Sequence, residues 1–283
     1  SSPTPMKYVL QIGILVFVFL TVNPMYGQRK PKIKGNRSVI SVEKELSAFT
    51  DLVLSENLEI TLQPGDAEII KIEADDNLID VLRFDVEDNT LTISSFYTIT
   101  ASKKLELILV YRQLENIRLE TGSLIGMETL SADQLRLSLL EDAKAELSIR
   151  SSLLELDMSG KASADLRIEA DSLQAVLGGT SKSFIYASGD GMDFSMTEQA
   201  SLELEGLSNS LTLSLTDNAK YKGSGMEAEA AQVFLNASAN AQVKALVNLA
   251  YEGRGKAKLF VYGQPKFEII GLYDSAELRK VPE

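Results

Sequence analysis

The sequence contains no cysteine, no histidine and no tryptophan among its 283 residues. Without histidine the chain has no imidazole base, no histidine metal ligand and no Ser-His-Asp triad. Without cysteine it can form neither a disulfide bond nor a thiolate zinc site. Any catalysis would have to use carboxylates, lysine, tyrosine or a carboxylate-bound calcium ion, and we expect no cofactor and no metal site.

Positive charge is also scarce, with 28 Lys and Arg residues against 40 Asp and Glu residues and a formal net charge of −12. This excess of negative charge argues against binding to nucleic acid or to anionic lipid through bulk charge. Its ordinary effect is to keep a protein soluble. We therefore expect no nucleic-acid partner.

The amino-terminal residues predict export. The apolar run at 8–22 is too short for a comfortable membrane span, and it follows Lys7 and precedes Gly27, a small residue at a plausible cleavage point. Residues 1–27 are therefore predicted to be a signal peptide, with no stable membrane span after cleavage and a periplasmic, outer-surface or extracellular location. The basic stretch at 28–37 leaves a retained anchor as the alternative, because an anchor would place cytoplasmic charges there.

A unit of about nineteen residues recurs through the second half of the chain. Within each unit apolar residues alternate with polar ones on both sides of a three-residue polar turn, which predicts strand, turn and strand. One position holds alanine or serine in eight successive units: Ser123, Ala143, Ala162, Ser181, Ala200, Ala219, Ala239 and Ala257. Four positions later the units carry Met127, Leu147, Leu166, Ile185, Leu204, Gly223, Val243 and Val261.

These columns predict an all-β solenoid with coils of about nineteen residues that stack about 4.8 Å apart. Like side chains of successive coils then meet in ladders. The small residue just after each turn indicates a corner where larger side chains would not fit.

The remaining segments predict ends and linkers. Residues 28–40 are interpreted as a basic linker, 41–113 as an amino-terminal β cap, 114–263 as the repeat solenoid and 264–283 as a carboxy-terminal cap that breaks the repeat. Pro265 and the charged tail after it are expected to discourage further stacking. Alternating apolar residues in the amino-terminal cap predict strands near 51–55, 58–63, 68–73, 84–87 and 90–95. Residues 76–82 predict a short helix there, with Asp76 as its N-cap.

Several stretches resemble a known family. They are "FTDLVLSENLEITLQPGD" at 49–66, "IKIEADDNLIDVLRFDVEDNTLTIS" at 70–94, "LSLLEDAKAEL" at 137–147 and "LDMSGKASADL" at 156–166. They are similar to the auto-transporter adhesin head GIN domain family, which is common in secreted proteins of Bacteroidetes-type bacteria. The resemblance covers about residues 40–265. It implies a right-handed β-helix, export and an adhesin role, and it assigns no functional residue.

The register also places two sets of outward side chains that share the pattern Lys-x-Phe-x-Tyr. Lys182, Phe184 and Tyr186 form the first set. Lys258, Phe260 and Tyr262 form the second set, on the same face four coils further on, roughly 19 Å away. Exposed rings can stack on sugars or insert into a partner protein, and the lysines could pair with uronate or sulfate. The alternative is that aromatic residues are simply good strand formers, covered by a loop or a terminal segment.

The leading hypothesis is a non-catalytic, adhesin-like protein that presents one solenoid face to a glycan or a cell-surface protein. A carbohydrate-active β-helix enzyme on acidic polysaccharide is the second hypothesis, and a purely structural envelope protein is the third. For the enzyme the candidate acid pairs are Asp75/Asp76, Glu141/Asp142 and Asp190/Asp193. None of these pairs recurs on adjacent coils, so the sequence favours the binding protein.

Overall fold

The computed structural model describes residues 29–282. The chain divides into two units, 1–30 and 31–283, and the description below concerns the second. The predicted signal peptide lies outside the described residues. Over the described range no helix combines the length and the apolar character needed to cross a bilayer.

Strands make up nearly all of the regular structure. They are β1 (Lys32–Lys34), β2 (Val39–Glu45), β3 (Asp51–Leu54), β4 (Glu59–Pro64), β5 (Ile69–Asp75), β6 (Leu82–Glu87), β7 (Thr90–Ser95), β8 (Thr98–Ala101), β9 (Leu105–Tyr111), β10 (Asn116–Leu119), β11 (Ser123–Gly126), β12 (Leu130–Leu139), β13 (Lys144–Met158), β14 (Ser163–Leu177), β15 (Lys182–Met196), β16 (Ser201–Leu215), β17 (Lys220–Leu235), β18 (Asn240–Gly253), β19 (Lys258–Tyr262), β20 (Lys266–Leu272) and β21 (Glu277–Lys280). The helix α1 spans Asp76–Ile79.

Strands β12 to β19 stack in parallel and confirm the predicted β-solenoid, which has about 9 turns spaced about 19 residues apart. Residues of β13 pair with those nineteen positions later in β14, as Lys144 with Ser163 and Met158 with Leu177. Inward side chains alternate along each strand, and the alternation shifts by one residue at a corner, as between Ser151 and Leu154. Leucines, alanines and other apolar residues of successive coils therefore pack on one another in a continuous core.

The turns between coils also stack. The middle residue of each turn has a left-handed backbone in eight successive turns: Glu141, Gly160, Gly179, Glu198, Asp217, Ala237, Gly255 and Asp274. Backbone hydrogen bonds join one turn to the next, as from Thr180 N to Gly160 O at 2.8 Å and from Gln199 N to Gly179 O at 2.9 Å. This ladder satisfies turn backbone groups and holds neighbouring coils in register.

The small-residue column follows the predicted positions from Ala143 onward, and those side chains are buried. The prediction for the first coil was wrong by one residue. Ser123 pairs with Lys144, so it belongs to an outward column, and Gly122 precedes it in the small column. The turn after Leu119 is one residue shorter than the later turns, and a Cβ at Gly122 would lie 2.6 Å from the Leu58 carbonyl oxygen.

The same shift moves Met127 out of the core. Its side chain is 59% exposed, whereas Gly126 lies beside Leu147 in the predicted apolar column. A second irregularity lies in β17, which has one extra residue. Glu203 pairs with Lys222, but Glu205 pairs with Gly225. The outward column that contains Tyr186 and Glu205 therefore breaks at this bulge, whereas the column of Glu203 and Lys222 continues.

The amino-terminal segment contains the five predicted strands, observed as β3 to β7. The coil formed by β3 and β4 pairs on one side with β10 and β11, and on the other with β7 and β9. Antiparallel pairing of β2 with β5, of β5 with β9 and of β6 with β7 completes this end. The segment interpreted as a linker contains β1 and the start of β2, and β1 pairs with β8.

Helix α1 is shorter than predicted, and its N-cap is Asp75 rather than Asp76. The Asp75 side chain makes no capping hydrogen bond. It turns instead toward backbone N–H groups of Arg37, Lys103 and Lys104.

The carboxy-terminal segment continues the repeat instead of breaking it. Strand β20 pairs with β18, and β21 pairs with β19, with Lys258 opposite Glu277. Ala276 follows Ala257 by nineteen residues, directly before Glu277. Pro265 did not stop the stacking because it lies just before β20, where no ladder N–H is needed.

Candidate ligand-binding face

We name the outward columns that begin at Lys144, Glu146 and Ser148 the lysine face. Its first column runs along the solenoid with lysine at alternate coils: Lys144, Ser163, Lys182, Ser201, Lys220, Asn240, Lys258 and Glu277. Its second column is Glu146, Asp165, Phe184, Glu203, Lys222, Gln242, Phe260 and Arg279. Both follow the predicted register from Lys144 and Glu146 to Lys258 and Phe260.

The first predicted set of residues lies in the open on β15. The Phe184 side chain is 39% exposed, and Tyr186 is 45% exposed, with Lys182 exposed on the same strand. The guanidinium carbon of Arg167, one coil before, lies 6.0 Å from the centroid of the Tyr186 ring. This distance is at the outer limit of a cation–π contact.

The second predicted set is more enclosed. Phe260 and Tyr262 are half-buried, whereas Lys258 is exposed. Strand β21 places Arg279 beside Phe260, with its guanidinium carbon 5.9 Å from the ring centroid. The terminal coil therefore covers part of the second set, in line with the alternative that a loop or a terminal segment covers the rings.

Charged residues that we had not assigned to the site flank the first set. Asp165 and Glu203 pair with Phe184 from the preceding and the following coil. Arg167 and Glu205 flank Tyr186 in the same way. The nineteen-residue spacing was the signal that could have identified these neighbours.

The charged neighbours of Phe184 form no ion pair with one another or with other described residues. Asp165, Lys182 and Glu203 form no ion pair and no side-chain hydrogen bond with any residue in the described range 29–282. Elsewhere, charges on adjacent coils do meet, as between Arg150 Nε and Glu169 Oε2 at 3.0 Å. The polar groups around Phe184 are thus free to bind a ligand.

A shallow groove of about 410 Å³ lies on the same face, one coil before the rings. Its lining includes Lys144, Glu146, Ser163 and Asp165. Because Asp165 pairs with Phe184, the groove and the exposed ring adjoin. Together they form an elongated surface with hydroxyl, carboxylate, ammonium and aromatic groups.

Two acids of the pairs considered for catalysis form hydrogen bonds with neighbouring side chains. Asp142 accepts a hydrogen bond from Thr121 Oγ1 at 2.8 Å, and Asp190 accepts one from Asn209 Nδ2 at 2.7 Å. Among the residues described, no group of three or more Asp or Glu side chains is placed to hold a metal ion.

Asp75 is a structural carboxylate. It is fully buried, and its oxygens accept hydrogen bonds from the backbone N–H groups of Lys104 at 2.9 Å, Arg37 at 3.0 Å and Lys103 at 3.1 Å. Burial alone would raise the pKa of Asp75, but these backbone hydrogen bonds outweigh it, and the pKa is lowered from its ordinary value of 3.8. The carboxylate therefore joins β5 to the loops before β2 and before β9.

The Asp75→Asn substitution should lower the thermal unfolding midpoint at pH 7, because an amide nitrogen cannot accept a backbone N–H. The depressed pKa means that Asp75 stabilises the fold fully above about pH 3.8, and that this contribution is lost as the pH falls further, through the folded-state pKa. The difference between the variant and the parent should thus shrink at acid pH. Thermal melts by circular dichroism between neutral and acid pH measure it.

Asp76→Asn is the matched control, because Asp76 is the adjacent acid and is exposed. The thermal unfolding midpoint of this control should equal that of the parent at every pH. An Asp75→Asn variant with parental stability at pH 7 would contradict the role assigned to the carboxylate.

The fold and the exposed face define a class: a parallel β-solenoid whose outer columns form an extended outward surface. The sequence profile of the family described as "Putative auto-transporter adhesin, head GIN domain" matches residues 48–187 and 180–265. The chain belongs to this family, which confirms the resemblance inferred from the sequence. No curated protein matches the sequence.

Solved structures share the fold. A crystal structure described as a "putative adhesin" from Parabacteroides merdae ATCC 43184 has a TM-score of 0.67 at 16% identity, and the match covers 89% of this chain and 100% of that one. A "putative adhesin" from Parabacteroides distasonis ATCC 8503 also has a TM-score of 0.67 at 16% identity, over 88% and 100% of the two chains. A "putative lipid binding protein" from the same organism has a TM-score of 0.64 at 18% identity, over 89% and 100%. The family membership and the fold are those of an adhesin-like protein.

Proposed function

We propose that this protein is an exported or surface-exposed adhesin that binds a glycan on its lysine face, without catalysis. The observation that carries the proposal is the exposed pair Phe184 and Tyr186, with Asp165 and Glu203 beside Phe184 in no ion pair and no side-chain hydrogen bond among the described residues. The glycan's contact is centred on Phe184.

The chemistry around Phe184 fits a saccharide. The ring offers an apolar face to the C–H groups of a sugar, and removal of that apolar surface from water stabilises the complex. Asp165 and Glu203 can each accept hydrogen bonds from sugar hydroxyls, and Lys182 can donate them. Because cations and carboxylates both surround the ring, the site suits a neutral glycan better than a densely anionic one.

The groove adjacent to Asp165 adds length to the site. A chain of sugars that stacks on Phe184 can extend along the solenoid axis into the groove lined by Lys144, Glu146 and Ser163. Each coil advances the surface by about 4.8 Å, so several sugar units would contact successive coils.

The carboxylates beside the ring support binding rather than hydrolysis. Glycoside hydrolases use a pair of carboxyl groups, one of which is a general acid held in an apolar pocket. Asp165 and Glu203 are both exposed on a flat sheet. A turnover assay on neutral and acidic polysaccharides, with and without calcium, tests whether the protein is non-catalytic. Product formation above background would support the hypothesis of a carbohydrate-active enzyme.

The double substitution Phe184→Ala and Tyr186→Ala should weaken glycan binding by about tenfold or more, since about 1.4 kcal/mol of lost apolar contact corresponds to tenfold in affinity. A glycan array that contains neutral, uronate and sulfated oligosaccharides first identifies which oligosaccharides the parent protein binds. Isothermal titration with the best neutral oligosaccharide then measures the change.

Val176→Ala is the matched control, because Val176 is 56% exposed but lies on β14 beyond the corner, outside the lysine face. Its affinity should equal that of the parent. Equal affinity of the parent and the double variant would overturn the proposal. Partner capture from envelope extracts that persists in excess oligosaccharide would indicate a protein ligand instead.

A further inference from the structure

Positive charge is concentrated at one place on this acidic protein. Strand β1 carries Lys32 and Lys34, and the turn that follows it carries Arg37. All three residues are exposed, and none of them forms an ion pair within the described range 29–282. These cations are therefore available to a partner from outside the chain.

The pairing of β1 with β8 places two aromatic rings beside these lysines. Lys32 lies opposite Thr98, and the backbone N–H of Thr98 donates a hydrogen bond to the carbonyl oxygen of Pro31 at 2.9 Å. Phe96 and Tyr97 directly precede Thr98, and they are 54% and 36% exposed. The rings and the cations of β1 thus belong to one surface.

The buried carboxylate of Asp75 fixes the other side of this surface. It accepts hydrogen bonds from the backbone N–H groups of Arg37, Lys103 and Lys104, which are therefore neighbours in space although they are far apart in the chain. Lys103 is exposed and has no ion pair in the part of the chain that the structure describes. Lys104 instead pairs with Glu106 at 3.0 Å.

We name this surface the basic patch, and it consists of Lys32, Lys34, Arg37 and Lys103 with the rings of Phe96 and Tyr97. Asp76 lies beside it, because its backbone N–H donates to the carbonyl oxygen of Ser38 at 2.8 Å. This exposed acid offsets one of the four cations, so the net charge of the patch remains positive.

A bilayer that contains anionic lipids matches both features of the basic patch. Lysine and arginine are attracted to lipid phosphates, and aromatic side chains favour the interface between headgroups and hydrocarbon. The guanidinium carbon of Arg83 lies 4.7 Å from the centroid of the Phe96 ring, and more than half of that side chain is still exposed. A soluble polyanion would contact the cations and leave Phe96 in water, so the rings favour a bilayer.

The sequence before the basic patch favours the same partner. Residues 23–31 alone separate the apolar run at 8–22 from Lys32. A chain of this length spans at most roughly 30 Å when it is fully extended. The basic patch therefore stays within reach of any bilayer into which the apolar run is inserted.

We propose that the basic patch docks the protein on the surface of a bilayer that contains anionic lipids. Its cations contact lipid phosphates, and Phe96 and Tyr97 enter the headgroup region. The net negative charge of the chain does not prevent this contact, because charge is screened beyond about 8 Å at physiological ionic strength. The patch shares no residue with the lysine face, so the inference goes beyond the proposed function and does not depend on it.

Lipid vesicles test the docking through the difference between headgroups. At low ionic strength the full chain should bind vesicles that contain phosphatidylglycerol more tightly than vesicles of phosphatidylcholine alone, as measured by co-sedimentation. The apolar run at 8–22 is uncharged, so its own affinity for lipid does not create this preference. Lys32→Gln/Lys34→Gln should reduce the preference by about thirtyfold, since the attraction of each lysine corresponds to about fivefold in binding.

Lys161→Gln/Lys256→Gln is the matched control, because it removes two exposed lysines from turns between coils. These two lysines also have no ion pair among the residues that the structure describes. The control should keep the parental preference. A parent that binds both kinds of vesicle equally, or equal preferences of the two double variants, would overturn the proposal.

The contact of the rings has a separate test, because the chain contains no tryptophan. The emission of a Phe96→Trp variant should shift to shorter wavelength when vesicles with phosphatidylglycerol are added, and brominated lipid should quench it. A Val176→Trp variant is the control, because Val176 is exposed on β14 and lies outside the basic patch, and its emission should not change. Unchanged emission of Phe96→Trp on vesicle-bound protein, with equally tight binding of soluble polyphosphate, would indicate a soluble polyanion and overturn the bilayer as the partner.

Discussion

Replacement of Phe194 by alanine should lower the free energy of unfolding by about 3–5 kcal/mol. Phe194 is fully buried and lies in the inward column of β15, between Ala175 of one coil and Leu213 of the next. Alanine at both 175 and 194 would leave a cavity that short side chains cannot fill. The loss therefore combines the lost burial of the ring with the cost of the cavity.

The measurement is the free energy of unfolding from a urea titration followed by circular dichroism. Phe184→Ala is the matched control, because it makes the same chemical change on the same strand at an exposed, outward position. It should change the unfolding free energy by about 1 kcal/mol, clearly less than Phe194→Ala, because much of the Phe184 ring is exposed. Similar losses for the two variants would contradict the assignment of Phe194 to the core and of Phe184 to the surface.

The solenoid arrangement decides how such a loss spreads. Each coil of a repeat protein contacts only its neighbours, so the stability of the array is a sum of coil terms and interface terms. Phe194 contributes to two interfaces, one with β14 and one with β16. We therefore expect its replacement to weaken the middle of the array more than the amino-terminal end.

The solenoid could be predicted because its signal recurs in nearly every coil. Alternation of period two gives strands, and the nineteen-residue spacing gives the stacking of Ala143 on Ala162 and of Leu137 on Leu156. A wrong register in one coil does not change the prediction for the others, because each pair of neighbouring coils is aligned by its own nineteen-residue spacing. The amino-terminal segment lacks the repeat, but its turns and alternation still indicated its strands.

The errors arose where the spacing changes by one residue. The short turn before Gly122 moves Ser123 and Met127 out of their predicted columns, since the strand period is two. A single sequence does not show on which side of a turn the residue is lost or gained. The coil of β20 and β21 was missed because Pro265 resembles a stop signal, although it precedes the strand.

For the candidate site, the sequence could predict only which side chains point outward from the solenoid. The register placed Phe184 and Phe260 outward, but their exposure depends on what the neighbouring coils carry. Asp165 and Glu203 are short enough to leave Phe184 open, whereas Arg279 lies over Phe260. Pairing of charges is equally local, because Arg150 reaches Glu169 while Lys182 reaches no acid in the described range.

Replacement of Gly206 by alanine should lower the free energy of unfolding by about 3 kcal/mol or more, because strain and a backbone clash both contribute. Gly206 has a φ of +126°, a conformation that residues with a Cβ rarely adopt. A Cβ there would overlap the carbonyl oxygen of Ala187 in the neighbouring coil and lie 2.8 Å from the carbonyl carbon. Ala187 is fixed in the parallel ladder, so the two coils would have to separate.

Gly191 provides the control, because a Cβ at this position would meet nothing within 4 Å, and it lies on the adjacent strand β15. Gly191→Ala should change the unfolding free energy by no more than about 0.5 kcal/mol. Urea titrations of the two variants measure the difference. If Gly206→Ala had the same free energy of unfolding as the parent, the close approach of Gly206 to Ala187 would not be needed for stacking. The bend after Glu205 would then tolerate a side chain.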